Sequence, residues 1–195
     1  MTTSSLFGLV LAGGKSQRMG VDKATLEFHG KPQVVWAHEM LAAVCECAFV
    51  SVRPDQVNDP IRMRLPQIVD LQPGIGPIAG ISAALTQHPG SAWLVLACDL
   101  PFLSRTTLDH LIAQRDPKKF ATAYRSAHDG LPEPLCAIWE PKSLVRVREW
   151  IALGKECPRK LLIHSDTALL DQPDARSLDN VNTPQERAAA NAVLT

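Results

Sequence analysis

The segment Leu11-Ala-Gly-Gly-Lys-Ser-Gln-Arg-Met-Gly-Val-Asp-Lys23 combines a glycine pair with three cations, Lys15, Arg18 and Lys23. Gly13 and Gly14 carry no Cβ, so their backbone N–H groups can turn toward an anion and approach it closely. The cations neutralise the charge that those amides hold, and the combination is suited to phosphate binding. The spacing is neither that of a P-loop, G-x-x-x-x-G-K-[ST], nor the G-x-G-x-x-G of a dinucleotide-binding turn.

Two carboxylates stand in comparable settings. Asp99 ends the apolar run of Leu96-Ala-Cys-Asp-Leu-Pro-Phe102. An aspartate at the mouth of a phosphate pocket suits Mg²⁺, which takes one or two carboxylates and completes its shell with water and phosphate oxygens. Asp99 could instead cap the next helix, but Ser104 is better placed for that. Asp70 precedes Gly74-Ile-Gly-Pro-Ile-Ala-Gly80. There Gly76 and Gly80 permit close backbone approach, and a helix N-terminus at Pro77 favours an anion or a polar ligand edge. Near the C-terminus, Asn180-Val-Asn-Thr-Pro184 sets two asparagines one residue apart. On an extended segment both side chains face the same way and offer amide donors and acceptors, while Thr183 caps a following helix.

Elements must bring these residues together. Apolar runs alternate with helical patterns, which predicts a mainly parallel sheet wrapped by helices in a Rossmann-like three-layer α/β sandwich. Strands are expected at Leu6–Ala12, Ala48–Val52, Gln67–Asp70, Trp93–Ala97, Phe120–Tyr124 and Leu135–Trp139, with a short extended piece at Leu26–His29. Helices are expected from about Pro32, over Gly76–His88, from Ser104 to about Arg115, from Pro141 to a stop at Gly154, and over Thr183–Val193, with a basic turn at Arg159–Leu162. His128–Pro134 reads as the longest irregular piece. In an open α/β sheet, ligands bind at the carboxyl ends of the strands. The glycine segment, Asp70 and Asp99 all fall at such ends and imply one pocket in one domain spanning residues 1–195.

L-A-G-G-x-S-x-R-M-G-x-D-K, the acidic Asp70 before G-P-I-x-G, the Asp99 segment and N-V-N-T-P follow one another in an order that resembles the MobA-type molybdenum cofactor guanylyltransferases of the nucleoside-triphosphate transferase superfamily. The resemblance implies transfer of GMP from GTP to molybdopterin with release of pyrophosphate. It also implies the nucleotide-diphospho-sugar transferase type of fold. It assigns Arg18, Lys23 and Asp99 to catalysis and Mg²⁺ to Asp99. Nucleotide binding falls to Leu11, Ala12, Gly13, Gly14, Lys23, Ser51, Asp70, Gly76, Gly80 and Asp99, and the acceptor to Asn180 and Asn182. Ser51 stands where that group commonly has an asparagine. Arg159 and Lys160 could hold the acceptor's phosphate or simply form a basic helix surface. A cytidylyltransferase is the nearest rival, although its branch tends to carry L-A-A-G where this chain has L-A-G-G. A sugar-1-phosphate transferase is disfavoured by length, and a noncatalytic GTP- or pterin-binding module by the retention of Lys23 and Asp99. The resemblance leaves room for transient contact with other cofactor-biosynthesis proteins or molybdoenzyme chaperones.

Composition narrows the classes further. The 195 residues are 46% hydrophobic and 21% charged, with 20 basic and 20 acidic side chains. A zero formal net charge argues against a nucleic-acid partner. No stretch approaches the roughly 20 apolar residues of a membrane span, and the first residues lack the basic start of a signal peptide. The five cysteines have no framework spacing, which fits a reducing cytoplasm. Cys45-x-Cys47 reads as a pair of small residues at a helix end, since no second Cys or His pair completes a zinc site.

Overall fold

The structure is a computed structural model that describes residues 4–13, 22–72, 74–181 and 183–194. Its centre is β4 (Ala92–Ala97), whose six residues are all buried. Successive strand residues point to opposite faces, so such a run needs cover on both sides. Leu94 and Leu96 pack with Val10, Val34, Leu41, Leu108 and Leu111 on one face. Trp93 and Val95 pack with Leu9, Ile78, Ile81, Leu85, Val147 and Leu161 on the other. The covering helices are α1 (Gln33–Ala42) and α3 (Arg105–Ala113) on the first face. On the second they are α2 (Pro77–Gln87), α4 (Ser143–Ala152) and α5 (Pro158–Ile163).

Seven strands form one sheet of order β3-β2-β1-β4-β6-β5-β7. They are β1 (Leu6–Leu11), β2 (Cys47–Val52), β3 (Gln67–Val69), β4, β5 (Ala121–Arg125), β6 (Pro132–Trp139) and β7 (Thr167–Leu170). β1 pairs in parallel with both β2 and β4, β2 with β3, and β5 with β7. β6 lies antiparallel to both of its neighbours. The expected three-layer α/β architecture and mostly parallel sheet are present.

The sequence pattern missed β7, a four-residue, half-buried edge strand. β6 begins at Pro132, three residues before the expected start, although prolines are rare in central strands. The register explains this. β4 pairs with β6 only over Cys136–Trp139, so Pro132 and Pro134 lie beyond the end of β4, where no ladder bond is demanded of them on that side. Pro32 stands at the N-cap of α1 rather than inside its first turn. Leu26–His29 forms a turn, with a single bridge from Glu27 to Pro32, instead of an extended strand.

Caps bound the helices as expected. The Ser104 hydroxyl accepts from the Thr107 N–H at 3.2 Å. Gly154, with φ +70°, follows the end of α4. At the start of α6 (Pro184–Leu194), Thr183 N–H donates to Glu186 and Glu186 N–H donates back to the Thr183 hydroxyl, closing a capping box. Cys45 follows α1 and Cys47 opens β2, and no disulfide joins cysteines among the described residues.

Candidate active site

The chain reverses its direction across the sheet between β1 and β4. β1, β2 and β3 build outward one way, and the sheet then continues from β1 through β4 the other way. Such a switch point opens a crevice at the carboxyl ends of the two flanking strands. Leu11 of β1 is paired with Ala97 of β4. Ala12-Gly13 and Cys98-Asp99 therefore leave the sheet side by side.

On the β1 side, Asp70 follows β3, and its N–H donates to the Val52 carbonyl at 2.8 Å. The Ser51 hydroxyl donates to Asp70 Oδ1 at 2.6 Å, with both residues buried. A Cβ placed on Gly13 would lie 3.2 Å from Asp70 Oδ2, so a larger residue would press Asp70 back by a few tenths of an ångström. Arg53 Nη1 donates to the Gly13 carbonyl, and its other nitrogens hold Asp55. Burial raises the Asp70 pKa above the ordinary carboxylate value, while the Ser51 hydroxyl and the Arg53 charge pull it back. The result is a buried carboxylate whose Oδ2 faces Gly13.

Gly76 adopts φ +73° and ψ −158°, a conformation open essentially to glycine alone, and directs the chain into α2 at Pro77. Gly80 has a packing role besides. It is buried, and a Cβ there would collide with Ser51 Oγ and lie 2.8 Å from Leu11 Cδ2. The close approach that Gly80 allows is that of α2 to the sheet, which seats the helix behind Ser51 and Leu11. Ser51, likewise, directs its hydroxyl to Asp70.

On the β4 side, half-buried Asp99 lines a cleft of about 820 Å³. The irregular segment after β5, the start of α5 and the chain before α6 all contribute to the cleft wall, including Ser126, Glu133, Arg159 and Asn180. Ser177 anchors that last segment by a buried 2.8 Å bond to Thr107, and Val181 N–H donates to the Asp99 carbonyl at 3.1 Å. Val181 is buried with Leu26 and Phe28, which leaves Asn180 exposed in the cleft. Arg159, on the wall, reaches Asp129 at 3.0 Å and Glu133 at 2.8 Å. Lys160 is exposed outside the cleft lining. Cys136 lines the cleft as an inert thiol, because burial, with the Glu133 charge, pushes its pKa up to about 12.

The structure thus brings together Leu11, Ala12, Gly13, Ser51, Asp70, Gly76 and Gly80 on one side of the switch point, and Asp99 and Asn180 on the other. Lys23 opens a 3₁₀ turn, Lys23–Thr25. Gly14, Lys15, Arg18 and Asn182 lie outside the described residues. Arg53 and Arg62 were not singled out in the sequence. Both bind backbone carbonyls 40 or more positions away, and no local pattern encodes such a contact.

Among the described residues, no group of three or more His, Cys, Asp or Glu side chains could hold a metal ion. Asp99 by itself fits the minimal Mg²⁺ mode, in which a single carboxylate is joined by water and phosphate oxygens. Among the same residues, no helix is long and apolar enough to cross a membrane.

A seven-stranded, mostly parallel sheet with Gly13 and Asp99 flanking its switch point is the frame of a nucleotide-binding α/β enzyme. Residues 8–169 match the MobA-like NTP transferase domain, and the chain belongs to that family. It is 37% identical over 191 residues to the molybdenum cofactor biosynthesis bifunctional protein of Synechocystis, covering 98% of this chain but only 55% of that longer protein. It is 32% identical to the molybdenum cofactor guanylyltransferase of Cereibacter sphaeroides, covering 97% of each chain. It is 31% identical to a probable molybdenum cofactor guanylyltransferase of Synechococcus elongatus, covering 91% of this chain and 94% of that one. The fold is similar to that of molybdopterin-guanine dinucleotide biosynthesis protein A from Archaeoglobus fulgidus, with a TM-score of 0.78 at 24% identity over 96% of this chain and 97% of that one.

Proposed function

We propose that this enzyme transfers GMP from GTP to molybdopterin, releasing pyrophosphate and forming a guanine dinucleotide of the cofactor. The observation that supports this most is the 3.1 Å bond from Val181 N–H to the Asp99 carbonyl. It sets the asparagine segment, the candidate for the acceptor, against the aspartate that closes the nucleotide side. The full-length guanylyltransferase relatives supply the choice of substrates.

In this reading an acceptor phosphate oxygen attacks the α-phosphorus of GTP in line. The new P–O bond forms as the bond from the α-phosphorus to the bridging oxygen breaks, and that electron pair leaves with pyrophosphate. The protein's task is to position and to neutralise charge. Leu11, Ala12, Gly13 and Gly14 present backbone to the triphosphate, and Arg18 and Lys23 balance its charge. Ser51, Asp70, Gly76 and Gly80 shape the nucleoside side, Ser51 and Gly80 through what they pack and hold. Asn180 and Asn182 bind the pterin edge. Asp99 would hold Mg²⁺, which supplies charge neutralisation on the phosphates when bound. An odd number of cysteines without framework spacing supports placing the enzyme in the cytoplasm.

Pyrophosphate release measured with GTP, CTP, ATP and UTP, each with and without molybdopterin, tests the proposal. Release that requires molybdopterin and is fastest with GTP is expected. A clear preference for CTP would move the enzyme to the cytidylyl branch, and tight binding of GTP without turnover would make it a noncatalytic module.

A further inference from the structure

Arg62 is 1% exposed and is among the largest fully buried side chains of the protein. It lies between β2 and β3, in a turn held by Asp59, whose Oδ1 accepts the N–H groups of Ile61 at 3.1 Å and Arg62 at 2.9 Å. The guanidinium then spreads to three partners. Nη1 lies 3.3 Å from Asp59 Oδ2, while Nη2 donates to the Ala12 carbonyl at 2.9 Å and to Asp22 Oδ2 at 2.6 Å. Asp22 in turn accepts the Ala24 N–H on its Oδ1 at 3.0 Å, and its carbonyl accepts both the N–H and the hydroxyl of Thr25.

A buried arginine is poor value for stability alone. Its desolvation penalty commonly matches or exceeds what its partners return, and here Nε has no hydrogen-bond partner among the described residues. An apolar side chain of similar volume would fill the same space. What it could not do is join the chain where β1 ends, at Ala12, to the chain just before Lys23, at Asp22. A planar cation with several donors in a fixed fork can.

We propose that Arg62 is a positioning residue for the triphosphate: it holds Ala12 and Asp22 together and so sets the backbone at Lys23. The proposal rests on the reading of Ala12–Lys23 as the triphosphate site.

The test is steady-state kinetics on Arg62→Gln and Arg62→Lys, with each substrate varied in turn and with melting curves recorded. The varied nucleotide is whichever of the four the unmodified enzyme uses, so a donor other than GTP overturns the choice of GTP and leaves the Arg62 comparison intact. Arg62→Gln is expected to lower kcat/KM for the nucleotide by roughly tenfold or more, with the KM for molybdopterin held within about twofold. Arg62→Lys keeps the charge but lacks the fork, and should restore only part of the loss. Because Arg62 and Asp22 act through one link, Arg62→Gln/Asp22→Asn should be no worse than the more impaired single variant. A molybdopterin KM that rises in step with the nucleotide KM, or losses that add in the double variant, overturns the proposal. Should Arg62→Gln fail to fold, Asp22→Asn decides alone, since it leaves Arg62 bonded to Ala12 and Asp59. An unchanged nucleotide kcat/KM in that variant also overturns it.

Discussion

Asp99 and Asp70 are both aspartates that follow strands, yet their surroundings divide their tasks. Asp99 is half-buried at a cleft and has solvent access, as a ligand for a hard cation requires. Asp99→Asn keeps the shape and removes the charge. Activity should drop about a hundredfold or more, the scale of losing one electrostatic stabiliser, with an unchanged melting temperature. Near-normal turnover with the same magnesium dependence would remove Asp99 from the metal role. Asp70 is buried against Ser51, and its pKa is raised. The folded state then binds its proton more tightly than the unfolded chain does. Stability from this group is therefore present below the ordinary carboxylate value of 3.8 and is lost as pH rises through the folded-state value. Asp70→Asn should melt higher than the parent at pH 7 while losing nucleotide affinity. The difference in melting should shrink as pH falls toward 3.8, and a difference independent of pH would show that the buried charge is not its cause.

At the scale of elements, two glycines set how closely helices approach the sheet. A Cβ on Gly8 of β1 would lie 2.8 Å from Leu41 Cβ of α1, and one on Gly80 of α2 would meet Ser51 and Leu11. Gly80→Ala forces α2 away from the carboxyl ends of β1 and β2. Such overpacking costs about 1–3 kcal/mol, and each kcal/mol lowers the melting temperature of a chain this size by roughly 2–4 °C. Because Ser51 holds Asp70, nucleotide affinity should fall with it, as calorimetry would record. A normal affinity in a destabilised Gly80→Ala protein would separate the packing of α2 from the site. The central strands and the caps were legible in the sequence because they are local. The apolar run Trp93–Ala97 announces β4, and Ser104, Gly154 and Thr183 mark helix ends. β7 was not legible: four residues whose burial is only partial carry little pattern, and the pairing with β5 is what makes them a strand.

For the whole molecule, one link closes the sheet's far end. Arg115, after α3, pairs with Glu140, after β6, at 2.7 and 2.9 Å, and also bonds Ser4 ahead of β1. Both side chains of the pair are at least nine-tenths buried. Arg115→Met leaves the Glu140 charge without compensation, which should cost about 3–5 kcal/mol in urea unfolding. Arg115→Met/Glu140→Gln should recover much of that loss, and failure to recover would place the effect in packing instead. Because the faces of one sheet carry both cores, tryptophan fluorescence and circular dichroism should report a single unfolding transition. Two separated transitions would contradict the one-domain expectation.

By itself the sequence determined the chemistry on offer: a glycine turn with cations, aspartates after strands, paired asparagines near a capped helix, and the alternation that makes an α/β sandwich. These are properties of neighbouring residues, and short-range physics writes them into short motifs. Only the tertiary structure decided which strand ends are neighbours. Leu11 beside Ala97 joins the glycine turn to Asp99, and Val181 against Asp99 joins both to the asparagine segment. It also decided that β6 runs against its neighbours, that Gly80 serves packing, and that Arg62 is drawn inside to tie Ala12 to Asp22. The physical reason is the same in each case. A hydrogen bond or a close contact between residues tens of positions apart depends on strand order and register, and no window of local sequence contains either.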